Sequence, residues 1–102
     1  NVIQMNMLAM TTTNPNATNQ VYNTAFGERT TLNQLVGYLK EFLSEFDPEI
    51  ANVKIIHGPN RLGDIPHSLA CIDKAKSLLG YNPQSSMRDG LKEAVKWYWK
   101  NI

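Results

Sequence analysis

The clearest hydrophobic pattern along the chain predicts an amphipathic helix between Thr31 and Asp47. Apolar residues recur there at intervals of three and four positions, which is the spacing of one helix face; they are Leu32, Leu35, Val36, Leu39, Phe42, Leu43 and Phe46. Thr31 and Gln34 have the spacing of a capping box, in which the hydroxyl and the amide satisfy free backbone N–H groups at the helix start. Asp47-Pro48 predicts the end of this helix.

Two shorter patterns predict helices in the last third of the chain. Asp73 is the predicted N-cap of one helix, which carries apolar residues at 75, 78 and 79 and ends at Gly80. Ser86 and Asp89 are predicted to cap the last helix, whose apolar face consists of Met87, Leu91, Ala94, Val95 and Tyr98. Both segments therefore have a start signal and a periodic face.

Three residues of the last helix need a separate explanation. Gly90 lowers helix stability by about 1 kcal/mol relative to alanine, so we expect close packing at this position. Trp97 and Trp99 flank the apolar face. We interpret them as edges of the core, or as contacts with further chain, in preference to a ligand-stacking site.

The first ten residues predict a helix of a different kind. Its apolar positions face several directions; they are Val2, Ile3, Met5, Met7, Leu8 and Met10. Such a distribution indicates a helix covered on more than one side. The methionines could instead line an adaptable binding groove, but a buried helix is the favoured interpretation. Asn14-Pro15 predicts where this helix has ended.

Three short segments rich in β-branched and aromatic residues predict strands. They cover residues 21–26, 52–58 and 69–72, between the predicted helices. About four helices with short strands predict an α/β fold class. With 102 residues, the chain is long enough for a single domain spanning 1–102.

Charge and cysteine usage exclude several partner classes. Ten Lys and Arg residues against nine Asp and Glu residues give no field that would attract nucleic acid or anionic lipid. No apolar run approaches the roughly 18 residues of a membrane span. Because Cys71 is the one cysteine, it cannot form a disulfide within the chain, and we expect a reducing, cytoplasmic location.

Motifs that would carry catalysis or hold a cofactor or metal are missing from the sequence. It has no glycine-rich dinucleotide motif, no Tyr-x-x-x-Lys pair and no Gly-x-Ser-x-Gly elbow. His57 and His67 have no acidic partner at metal-ligand spacing. We therefore expect no catalytic, cofactor-binding or metal-binding residues in this chain.

The stretch "NRLGDIPHS", residues 60–68, is the best candidate for a binding loop. The planar guanidinium of Arg61 can bind two phosphate oxygens at once, and the carboxylate of Asp64 can accept hydrogen bonds from paired hydroxyls such as those of a ribose. The alternative is a surface ion pair that braces a turn, worth at most about 1 kcal/mol. The spacing alone favours the alternative.

Three longer segments carry a resemblance to a known family. "VYNTAFGERTTLNQL", "RLGDIPHSLACIDKAKSLLGYNP" and "GLKEAVKWYW" resemble the C-terminal part of the extended short-chain dehydrogenase/reductases, the NAD-dependent nucleotide-sugar epimerases and dehydratases. The nearest similarity is to the UDP-N-acetylglucosamine 4-epimerases. The resemblance implies a small α/β substrate-binding domain, with NAD bound by an N-terminal Rossmann domain outside this chain. It also implies a UDP-sugar substrate, a homodimeric full-length enzyme and no activity for this part alone.

The resemblance also implies roles for individual residues. Arg61 would clamp the UDP diphosphate, Asp64 would hold the uridine ribose, and Ser68 would lie beside the sugar pocket. Arg29 would lie in a loop on the nucleotide side, with no contact assigned to it. Cys71 departs from the family, which usually carries aspartate there.

Two alternatives to the epimerase stay open. A nucleotide-sugar dehydratase or decarboxylase of the same family would share most of these motifs. A non-catalytic α/β interaction module would use Arg61 and Asp64 only to brace a turn.

Overall fold

The structure, a computed structural model, describes residues 1–64 and 68–102, so His67 lies outside the described residues. In these residues the chain forms four α-helices: α1 (Val2–Thr11), α2 (Leu32–Ser44), α3 (Asp73–Leu79) and α4 (Met87–Asn101). Two short 3₁₀ helices cover Pro15–Ala17 and Pro48–Asn52. All four α-helices lie in segments where the hydrophobic pattern predicts them.

The predicted α/β fold class is wrong, because the described residues contain helices but no strand or sheet. A strand is stable only when a neighbouring strand takes up its backbone N–H and C=O groups. Segments 21–26 and 69–72 are joined instead by a side chain, since Asn23 Nδ2 donates to the Cys71 carbonyl at 3.0 Å. Segment 52–58 is tied to α2 in the same way, with Lys40 Nζ donating to the Val53 carbonyl at 2.8 Å.

The chain divides into two compact units, each built from two separate stretches of sequence. The first unit contains Asn1–Arg29 and Leu69–Ser86, and the second contains Thr30–Ser68 and Met87–Ile102. The single nucleotide-sugar-binding domain over residues 1–102 stays a prediction.

The core of the first unit surrounds Tyr81. The buried residues are Met5, Ala17, Ile72, Ala75, Leu79 and Tyr81. The Tyr81 hydroxyl donates to the Ala25 carbonyl at 2.8 Å, and burial raises the pKa of this phenol above its usual value. Side-chain amides attach α1 to the segment after α3: Asn1 Nδ2 donates to the Ser85 carbonyl at 2.7 Å and Gln4 Nε2 to the Asn82 carbonyl at 2.8 Å.

Helix α1 is covered on one side by the described residues. Met5 is its one buried residue and Leu8 packs partly against the core, whereas Ile3 and Met10 are each 80% exposed. Within the described residues only one side of α1 is covered, and covering on a second side stays a prediction. Ile3, Met7 and Met10 lie at the i, i+4 and i+7 positions of one exposed stripe.

The second unit is built on α2 and α4. Phe42 of α2 is 1% exposed and Val95 of α4 is buried. The predicted capping box is confirmed, since Thr31 Oγ1 accepts from the Gln34 N–H at 3.2 Å and Gln34 Oε1 accepts from the Thr31 N–H at 2.8 Å. Phe42 thus anchors the face that the hydrophobic periodicity predicts.

Charged and aromatic side chains add further contacts within the second unit. Arg88 forms an ion pair with Glu41, and its guanidinium lies 5.2 Å from the ring centroid of Phe42. The rings of Phe46 and Trp99 stack at a centroid distance of 5.3 Å. Trp97 packs edge-on against its neighbour Tyr98 at 5.0 Å and stays 59% exposed. The tryptophans therefore lie at the edge of this unit's packing.

Three local predictions have mixed outcomes. Gly80 adopts φ +66° directly after α3, as predicted for a helix-terminating glycine. The N-cap of α3 is Ile72 and Asp73 is its first helical residue, so the predicted cap is wrong by one position. Close packing at Gly90 is wrong, because a Cβ added there would have no atom within 4 Å.

No helix in the described part of the chain is both long and apolar enough to cross a membrane.

Candidate functional site

Arg61 and Asp64 lie at the two ends of one tight turn. The Asp64 N–H donates to the Arg61 carbonyl at 3.3 Å, which closes a four-residue turn. Gly63 has φ +88° at the third position, a value typical of a type II turn and strained for any residue with a Cβ. Leu62 at the second position is fully exposed. The turn therefore rests on a backbone hydrogen bond and a glycine.

The two charged side chains of this turn have no polar partner in the described residues. Among residues 1–64 and 68–102, neither the Arg61 guanidinium nor the Asp64 carboxylate has a hydrogen bond or an ion pair. Both residues are exposed. A surface ion pair that braces the turn is therefore not seen within the described chain, and both groups can be approached from solvent.

Ser68 has no hydrogen bond to Arg61 or Asp64 within the described residues. Ser68 is exposed and follows residues 65–67, which lie outside the described residues. Arg29 belongs to the first unit, whereas Arg61, Asp64 and Ser68 belong to the second. Arg29 is exposed and has no side-chain partner in the described chain, so the structure adds no contact for it.

The first unit contains an open cavity of about 340 Å³ that no pattern in the sequence predicts. It is lined by Phe26, Gly27, Leu69, Ala70, Cys71, Ile72, Asp73 and Lys76. Gly27 has φ +86°, and a Cβ added there would lie 3.0 Å from Ile72 Cδ1. The other lining residues come from two segments predicted to be strands, 21–26 and 69–72, and from the predicted helix that begins at Asp73, so no single pattern indicates this wall.

Cys71 is exposed at this cavity, and both its side chain and its backbone carbonyl form hydrogen bonds. Its thiol donates to Asp73 Oδ2 at a sulfur–oxygen distance of 3.5 Å, and its carbonyl accepts from Asn23. Asp73 thus interacts with the thiol two residues before it. This contact gives the exposed thiol a polar partner.

Metal-ligating residues do not cluster in the part of the chain that the structure describes. No group of three or more His, Cys, Asp or Glu side chains there could hold a metal ion. His57 Nε2 lies 2.9 Å from Asn33 Oδ1, which is a side-chain hydrogen bond to α2. This contact gives His57 a structural partner.

Comparison with protein-family models finds none that matches this chain. The resemblance to nucleotide-sugar epimerases therefore stays a prediction from the sequence motifs.

Proposed function

We propose that this chain is the substrate-binding part of a cytoplasmic, NAD-dependent UDP-sugar 4-epimerase that acts on UDP-N-acetylglucosamine and UDP-glucose. Arg61 binds the diphosphate and Asp64 binds the uridine ribose. The observation that carries this proposal is the turn itself. It presents a guanidinium and a carboxylate three residues apart, both exposed and both without a partner in the described chain.

The chemistry of the two side chains supports these roles. A guanidinium forms two parallel hydrogen bonds to phosphate oxygens, which gives both strength and orientation. A carboxylate accepts hydrogen bonds from both hydroxyls of a ribose. Gly63 and a backbone hydrogen bond form the turn, so neither the Arg61 nor the Asp64 side chain is needed to stabilise it. Both charges are then available to a ligand.

Binding of the nucleotide would matter for the reaction because inversion at the 4-position requires the sugar to present both faces in turn. Binding energy from a part of the substrate that does not react can hold it in place during that reorientation. Arg61 and Asp64 would supply this energy at the UDP end. They touch no reacting atom in this proposal, so they are binding residues.

NAD does not fit the residues of this chain. A dinucleotide needs a glycine-rich turn at a helix N-terminus, and the sequence contains none. The cofactor would be held by an N-terminal Rossmann domain outside this chain, in an enzyme proposed to be a homodimer. We therefore assign no catalytic residue here and expect the chain alone to be inactive.

The second candidate function is an interaction module without a nucleotide ligand. It predicts that Arg61 and Asp64 brace their turn, and the absence of an ion pair between them in the described chain disfavours this role. A dehydratase or decarboxylase would use the same nucleotide contacts, so the turn does not distinguish these from an epimerase.

Calorimetric titration with UDP tests the nucleotide site in the chain as it stands. Arg61→Lys should weaken UDP binding about ten- to a hundredfold, because an ammonium cannot reproduce the two-point contact and a charge-assisted hydrogen bond contributes about 1.5–3 kcal/mol. Asp64→Asn should weaken binding less, since the amide keeps one acceptor.

A matched pair of variants separates the effect of a direct contact with UDP from the effect of losing one positive charge. Arg61→Gln and Lys54→Gln each remove one positive charge from the same exposed segment, but only Arg61 is placed on the ligand. Lys54→Gln should bind UDP nearly as tightly as the parent chain. If the parent does not bind UDP at millimolar concentration, or if Arg61→Gln binds as Lys54→Gln does, the nucleotide site is wrong.

The proposed role of Ser68 is tested in an enzyme that includes the NAD-binding half. Ser68→Tyr should lower kcat/KM for UDP-N-acetylglucosamine much more than for UDP-glucose, because a ring beside the sugar would occupy the space that the N-acetyl group sweeps through. Overpacking of this kind costs about 1–3 kcal/mol. The ratio of the two kcat/KM values cancels general damage to the fold.

Ser77→Tyr is the control, since Ser77 is an exposed serine on α3. It should leave the ratio unchanged. An unchanged ratio in Ser68→Tyr as well would remove Ser68 from the sugar pocket.

A further inference from the structure

We draw no further inference here: the strongest candidate, the exposed apolar stripe of α1 formed by Ile3, Met7 and Met10, carries none because nothing in the structure shows what covers it.

Discussion

Different interactions stabilise each of the two units internally. In the first unit, buried Tyr81 and polar side chains such as Asn1, Gln4 and Asn23 donate hydrogen bonds to backbone carbonyls far away in sequence. In the second unit, α2 and α4 pack around Phe42, and Arg88 pairs with Glu41 across them. The first unit is stabilised largely by hydrogen bonds to loop backbone, and the second largely by packing between helix faces.

This difference explains which contacts a one-dimensional pattern can reveal. Helix faces repeat along the sequence, so the face of α2 can be predicted from periodicity alone. A hydrogen bond from a side-chain amide to a distant carbonyl leaves no periodic signal. The first unit therefore differs more from its prediction than the second does.

The largest expected effect is the loss of Phe42. Phe42→Ala should destabilise the second unit by about 3–5 kcal/mol, because the ring is 1% exposed and its removal leaves a cavity. Both tryptophans lie in α4, so their fluorescence in a denaturant titration reports on this unit. A dye on Cys71, the one cysteine and an exposed residue, reports on the first unit.

Leu32→Ala is the matched control, since Leu32 lies on the same predicted face but is 79% exposed. It should change stability by less than about 0.5 kcal/mol. If Phe42→Ala shifts the dye and tryptophan transitions equally, the two units unfold as one, and the contrast between them does not extend to stability.

Substitution of two glycines, one in each unit, should give smaller changes in stability that are opposite in sign. Gly27→Ala should destabilise the first unit by about 1–2 kcal/mol, because φ is +86° and the new Cβ would lie 3.0 Å from Ile72 Cδ1. Gly90→Ala should stabilise α4 by about 0.5–1 kcal/mol, because the helix has open space there. The same denaturant titration measures both variants. A stabilised Gly27→Ala protein would contradict the close approach to Ile72.

The smallest effect concerns pH and the first unit. Burial raises the pKa of Tyr81, so the unfolded chain loses this proton near pH 10 while the folded chain still keeps it. The contribution of the protonated Tyr81 phenol to the free energy of unfolding is fully present below pH 10. The free energy of unfolding then falls by up to about 1.4 kcal/mol per pH unit between pH 10 and the raised folded-state value.

Tyr81→Phe should remove this slope, and Tyr98→Phe, at an exposed tyrosine of α4, should keep it. Denaturant titrations between pH 8 and pH 11 measure the difference. An equal slope in parent and Tyr81→Phe proteins would assign the alkaline loss of stability to other groups.

The helices of this fold could be predicted because their signals are local. Thr31 and Gln34 are three residues apart and cap each other, and Gly80 ends α3 through its own backbone conformation. The strands could not be predicted correctly, because strand formation depends on a partner strand elsewhere. Segment 21–26 has strand composition, but its Asn23 side chain bonds to Cys71 and no ladder forms there.

The candidate site was predictable to a similar extent. The glycine between Arg61 and Asp64 indicates a turn, and Gly63 adopts the positive φ that such a turn requires. Whether the two charges pair with each other depends on side-chain placement, and the spacing alone favoured pairing. The cavity beside Cys71 could not be predicted, because residues from two distant segments form its walls.

The bond from Asn1 to Ser85 has a consequence for the order of folding. It joins residues 84 positions apart, and the bond from Gln4 to Asn82 joins residues 78 positions apart. Closing so long a loop costs chain entropy before any contact compensates for it, and chains dominated by such contacts fold slowly. Helix α2, with its own cap, can form early in a refolding chain. Attachment of α1 to the 82–85 segment has to wait for the search that brings residues 1–4 and 82–85 together.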